Sequence, residues 1–108
     1  MLTPWLSAFV FTQCVEIPIY TRLARATLPA AFGASALTHP IVWFIIPELM
    51  QGRGYLAMVL VAETFAVVAE ALYLGLAFGV NRPLCWALLA NVTSAGLGLL
   101  SRALLGWP

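Results

Sequence analysis

The stretch from Tyr55 to Gly79 is long and apolar enough to cross a bilayer as a helix, which takes roughly 20 residues rising about 1.5 Å each, yet it carries Glu63 and Glu70 near its middle. Their spacing is close to two helical turns, so both carboxylates lie on one face, about 10 Å apart along the axis. An acidic residue at the centre of a membrane helix costs about 2.5 to 3.5 kcal/mol to insert, while each Leu, Ile, Phe or Val returns about 0.3 to 0.6. Two of them cancel most of what the large apolar residues of this segment supply. The Glu-bearing face must therefore be turned toward protein or water, and the rest of the chain must provide the cover.

The composition agrees with that reading. Hydrophobic residues make up 63% of the 108 and charged residues only 8%, against about 25% in ordinary soluble domains. The expected architecture is an all-α, polytopic membrane protein: four transmembrane helices in an antiparallel bundle, with spans at about 4–20, 29–47, 55–79 and 83–104, leaving no length for a soluble domain. Net charge is +1, and every basic residue is Arg. Neither nucleic acid nor an acidic protein is indicated as a partner; the bilayer is, together with a second copy of the chain or a membrane complex. No basic residue precedes the first apolar run and no small-x-small cleavage site follows it, so the first helix is expected to be retained. Cys14 and Cys85 fall inside spans and read as small apolar fillers.

Pro4 suits the first turn of span one, which carries Thr12, Gln13 and Glu16 in its second half, with Pro18 expected to kink it. Span two opens at Pro29 and holds Thr38-His39-Pro40 at its midpoint, where the proline frees a carbonyl that a neighbour or a cavity must satisfy. Gln51-Gly52-Arg53-Gly54 is a turn. Span four opens at Pro83 and carries Asn91, Thr93 and Ser94 near its centre. Small residues recur at four-residue spacing in Ala71, Gly75 and Gly79 and in Ala90, Ser94 and Gly98, a pattern that lets helices approach closely. Trp5, Tyr55 and Trp107 at one face, and Tyr20 and Trp86 at the other, are placed as interfacial anchors. Arg22, Arg25 and Arg82 on one side outnumber Arg53 and Arg102 on the other, which favours cytosolic first and third loops and termini outside.

An internal echo runs through the chain. Glu16 and Tyr20 precede a proline-opened span containing Leu37-Thr-His39, and Glu70 and Tyr73 precede another containing Leu89-Ala-Asn91, with the two glutamates 54 positions apart. Two repeated helical hairpins, parallel and related by an axis along the membrane normal, would give this spacing. Depth alone then gathers Glu16, Glu70, Tyr20, Tyr73 and Asn91 in one half of the bilayer, with His39 near the midplane and Glu63 toward the other half.

Thr38-His39-Pro40, Glu63-x6-Glu70-x2-Tyr73 and Ala90-Asn91-x2-Ser94 followed by glycine resemble a pattern found in small four-helix bacterial membrane proteins of unknown function. The resemblance covers the last three spans; in those proteins the second-helix motif is often Thr-Asn-Pro, from which His39 departs. It implies the fold and a bacterial inner-membrane location, and no activity. Chain length and Glu16 are also similar to those of small multidrug resistance transporters, although the third-helix Trp and glycine pattern of that family is missing and two further carboxylates are present.

Glu16, His39, Glu63, Glu70, Tyr73 and Asn91, supported by Thr12, Gln13, Tyr20, Thr38 and Ser94, are thus the candidate proton- or cation-binding group. No embedded Lys or Arg neutralises the three glutamates, so each must be protonated, share a proton with His39 or bind a cation from outside. Proton- or cation-coupled transport, or ion binding, is the leading expectation. A structural or accessory subunit, with the same groups as interhelical hydrogen-bond glue, is the alternative, but Gln would bond as well without the charge penalty. An intramembrane enzyme, with Ser94 or Cys14 near His39, is the third; no nucleophile elbow, metal-spaced His pair or cofactor motif is present, and the Glu-x-x-His spacing of di-iron bundles is lacking.

Overall fold

The computed structural model describes residues 2–106 and is helical throughout, with no strand among them. Four helices are present in this range. α1 is Leu2–Pro18, prolonged by a wide turn at Ile19–Leu23. α2 is Leu28–Leu49, α3 Tyr55–Ala77 and α4 Pro83–Leu105, and these three are long and apolar enough to cross a membrane. Trp107 lies outside the described residues.

Local sequence explains the helix ends. Thr27 caps α2 by accepting from the Ala30 N–H at 3.4 Å, and Pro29 occupies its first turn; Pro83 opens α4. Neither Pro18 nor Pro40 breaks its helix. Pro18 and Pro40 cannot donate to the carbonyl four residues back, and in each case the backbone goes on in π geometry, over Ile19–Leu23 and Ile41–Ile45. A third π segment, Tyr73–Ala77, ends α3. The Thr21 hydroxyl donates to the Ile17 carbonyl at 2.7 Å beside the first of them.

Connections of only a few residues hold consecutive helices antiparallel, and each helix packs on two neighbours, α1 on α2 and α4, α3 on α2 and α4. The result is a square bundle measuring 38 × 28 × 22 Å, with α1 diagonal to α3 and α2 diagonal to α4. Most buried apolar side chains are small, Ala30, Ala34, Ala66, Ala71, Ala87 and Ala90 among them, with Tyr20 and Leu74 the large ones that are fully buried. Other large apolar residues, such as Leu60, Val68, Leu72, Leu88, Val92 and Leu100, face outward. That inversion suits a lipid exterior, where small residues let helices approach and no hydrophobic gain draws large ones inside.

The ends of α1 and α3 match in detail. Their π segments, Ile19–Leu23 and Tyr73–Ala77, are 54 positions apart. So are the closing bonds from the Ala26 N–H to the Tyr20 carbonyl at 2.8 Å and from the Val80 N–H to the Leu74 carbonyl at 3.0 Å, and the positive-φ residues Arg25 (61°) and Gly79 (64°).

Three sequence expectations are corrected. Tyr20 is fully buried in the core and anchors no interface. Gly79 serves the left-handed turn after α3 and does not continue a packing stripe; its stripe partner Gly75 does pack closely, a Cβ there coming within 2.9 Å of the Pro83 ring. Cys14 and Cys85 are both free and exposed, on the outer surface of the bundle.

Candidate functional site: a buried carboxyl pair

Glu16 of α1 and Glu70 of α3 belong to diagonal helices, and their side chains meet at the bundle axis, each 1% exposed and within interaction distance of the other. The other diagonal supplies their hydrogen-bond donors. α2 presents Ser35 and Thr38, and α4 presents Asn91 and Ser94, each pair one helical turn apart on one face. Ser35 donates to Glu16 Oε1 at 2.5 Å and Ser94 to Glu16 Oε2 at 2.6 Å. Asn91 donates to Glu70 Oε1 at 3.1 Å and Thr38 to Glu70 Oε2 at 2.7 Å. Each carboxyl is thus held by one residue of α2 and one of α4. The arrangement repeats under exchange of the two hairpins, Ser35 corresponding to Asn91 and Thr38 to Ser94, both 56 positions apart. This differs from the pairing of His39 with Asn91 that the sequence echo suggests.

One contact breaks the correspondence. Tyr20, one turn beyond Glu16, donates its hydroxyl to Glu70 Oε1 at 2.6 Å, while the matching residue 54 positions on is Leu74. Tyr20 and Leu74, both with no exposed surface, close the bundle on one side of the carboxyl pair together with Ala30, Ala34 and Ala90.

On the other side a cavity of about 450 Å³ reaches the pair. It is bordered by Glu16, Glu70, Ser35, Thr38, Asn91 and Ser94 at its inner end and runs past Glu63, His39 and Trp43 to Tyr55, Pro47 and Arg102, where α2 and α4 end and α3 begins. Glu63 is half-buried along this path, two turns from Glu70 on the same helix face. Among the described residues, Arg102 at the mouth is the one Arg bordering the cavity, and no Lys does.

The remaining candidates are dispersed. His39 borders the cavity but lies among the rings of Trp5, Phe9 and Trp43, with Nδ1 buried and lacking a hydrogen-bond partner, as are Trp5 Nε1 and Gln13 Oε1. The Gln13 amide donates to the Phe32 carbonyl at 3.1 Å, tying α1 to α2. Thr12 borders the cavity. Tyr73 stands apart from the pair, its hydroxyl against Gly33 and its ring edge-on to Phe78. Ser94 bonds Glu16 and the Asn91 carbonyl while Cys14 faces outward, so neither is joined to His39 as a nucleophile and base would be. Among the described residues no group of three or more His, Cys, Asp or Glu is placed to hold a metal ion.

Ser35 is the site residue absent from the sequence candidates. The signal for it is its place one turn before Thr38, the spacing that also separates Asn91 from Ser94. A second hollow of about 510 Å³ lies at the opposite end of the molecule, between the loops carrying Arg25 and Arg82, and does not touch the carboxyls. No family model, curated protein or solved structure matches the chain.

Proposed function

We propose that the chain spans the membrane four times and binds a proton or a small cation at the Glu16–Glu70 pair, as part of proton- or cation-coupled transport or ion binding. The observation that carries this reading is the pair itself: two buried carboxyls facing each other at the inner end of a cavity, sealed on the far side by Tyr20 and Leu74. Two carboxyls at this separation do not both hold a negative charge without a proton or a cation, because no buried Arg or Lys accompanies them and like charges in a low-dielectric interior repel strongly. The cavity supplies a route for that cation from one face, with Glu63 as a waypoint. Its volume accommodates ions, waters or one small organic cation; a larger substrate needs a cavity formed with a second copy.

The matching features of α1 and α3, and of the donor pairs on α2 and α4, support a duplicated helical hairpin, which puts equivalent glutamates on the pseudo-twofold axis. The sequence pattern supports a bacterial inner membrane. The structural reading draws on the same hydrogen bonds, since every carboxyl oxygen of the pair has a partner.

Flux separates the two. Purified protein in liposomes should give pH-dependent proton or cation flux, measured over monovalent and divalent cations and small amines. Glu16→Gln and Glu70→Gln should fold and lose that flux, because the amide keeps the hydrogen bonds and cannot ionise. Parent flux no higher than in empty liposomes would favour the structural reading. Flux retained by both variants would refute the carboxyl mechanism.

A further inference from the structure

The hydrogen-bond inventory of the pair says how it holds a proton, granted the reading above. A hydroxyl has one proton to give. Ser94 Oγ is 2.6 Å from Glu16 Oε2 and 3.2 Å from the Asn91 carbonyl; Thr38 Oγ1 is 2.7 Å from Glu70 Oε2 and 3.3 Å from the Ala34 carbonyl. Each can therefore donate to an ionised carboxylate, or turn its own proton to the backbone and accept one from a protonated carboxyl, with no group left unpaired in either state. The Oε1 atoms differ. Glu16 Oε1 receives Ser35 alone, whereas Glu70 Oε1 receives both Asn91 and Tyr20. With all neighbouring donors turned inward, a Glu70 carboxylate has three hydrogen bonds from Tyr20, Thr38 and Asn91 and a Glu16 carboxylate two from Ser35 and Ser94, and the Glu16 and Glu70 carboxyls are themselves within bonding reach of each other.

We propose that the pair holds one proton, carried by Glu16, and that Tyr20 is the positioning residue that keeps the negative charge on Glu70. Charge favours the carboxylate with more donors, and the Tyr20 hydroxyl is the single donor without a counterpart in the other hairpin, where Leu74 stands. The other groups that face the pair do not reverse this preference. Glu63 lies on the same helix as Glu70 along the cavity, His39 of α2 is turned among aromatic rings, and Arg102 of α4 is at the mouth. Proton exchange with the cavity then proceeds from Glu16: a cation enters as the O–H bond of Glu16 breaks and the proton leaves through the cavity, and Ser94 turns its hydroxyl from the Asn91 carbonyl to Glu16 Oε2, so that the two carboxylates share the cation.

Infrared difference spectroscopy of the full chain in lipid at neutral pH tests this through the C=O stretch of protonated carboxyls. The parent should show a band that Glu16→Gln removes and Glu63→Gln leaves. Ser94→Ala should shift that band, since Ser94 bonds the carboxyl that carries the proton, whereas Thr38→Val, which takes one donor from the other carboxyl as Tyr20→Phe does, should leave the position of the band and reduce its share. Tyr20→Phe keeps the ring in its slot, where an apolar side chain is already tolerated at Leu74, and should add a second protonated component, Glu70 bonded to Thr38, at the expense of the first. A band that survives Glu16→Gln, one shifted by Thr38→Val and indifferent to Ser94→Ala, or a Tyr20→Phe spectrum identical to the parent's would overturn the proposal. The spectrum is read without flux, so a silent liposome assay with these bands in place counts against transport alone, and flux without them counts against the proton assignment alone.

Discussion

A buried carboxyl is tolerated only if its oxygens are met, and at Glu70 three side chains from three helices meet them: Tyr20, Thr38 and Asn91. Removing the carboxyl while leaving the donors should be costly, about 1 to 3 kcal/mol for each buried donor left unpaired. Glu70→Ala is therefore expected to lower the thermal stability of the purified protein markedly, and Glu70→Gln, which keeps acceptor and donor in place, to leave it near the parent. Glu48 is exposed near the end of α2 and accepts only from Gln51 at 3.3 Å, so Glu48→Ala should change stability by no more than about 0.5 kcal/mol. A melting curve in detergent for the three variants checks the order. Equal losses for Glu48→Ala and Glu70→Ala would contradict the placement of the pair. Glu16 and Glu70 were legible as candidates because a carboxylate in an apolar helix has few reasons to be there. Tyr20 was legible only in part, since an amphipathic ring near a helix end reads equally as an interfacial anchor and as a donor to a buried acid.

At the level of helices, lengths and limits follow the prolines, the glycine turn and the apolar runs closely. Expected spans of about 29–47, 55–79 and 83–104 meet helices at Leu28–Leu49, Tyr55–Ala77 and Pro83–Leu105. The π segments after Pro18 and Pro40 were not legible, because a lost donor can be accommodated by a kink, a break or a widened turn, and neighbouring packing chooses among them. Packing also separates glycines that look alike in sequence. A Cβ on Gly75 would come within 2.9 Å of Pro83 Cγ, whose rigid ring cannot swing aside, while a Cβ on Gly96 meets nothing within 4 Å. Gly75→Ala should then destabilise by about 1 to 3 kcal/mol and Gly96→Ala should be neutral or stabilising by up to about 1. Thermal unfolding of the pair of variants decides it; a larger loss at Gly96 would mean that α3 and α4 do not approach as described.

For the molecule as a whole, the proposed four-span arrangement predicts which positions share a face. In a background with Cys14 and Cys85 replaced by Ala, single cysteines at Gly52 and Ala103 should react with an impermeant thiol reagent from one side of sealed vesicles, and those at Ala26 and Asn81 from the other. Labelling of 52 and 103 from opposite sides would overturn the four-span reading. The cavity gives a second expectation at this scale. It opens toward the end bearing Tyr55 and Arg102, so a cysteine at Met58, which borders it, should be reached by a small soluble reagent from that face, while one at Leu74 should stay unreactive. By itself the sequence determined the helical class, the approximate helix limits and the presence of acids that needed cover, because apolar length, proline positions and the insertion cost of a carboxylate are local properties of the chain. Only the tertiary structure decided which acids meet, that Ser35 joins them while Tyr73 does not, and that one side of the pair is open and the other shut. Those outcomes depend on the rotation of each helix about its axis, which is set by how the alanine faces of all four pack together and cannot be read from any one helix alone.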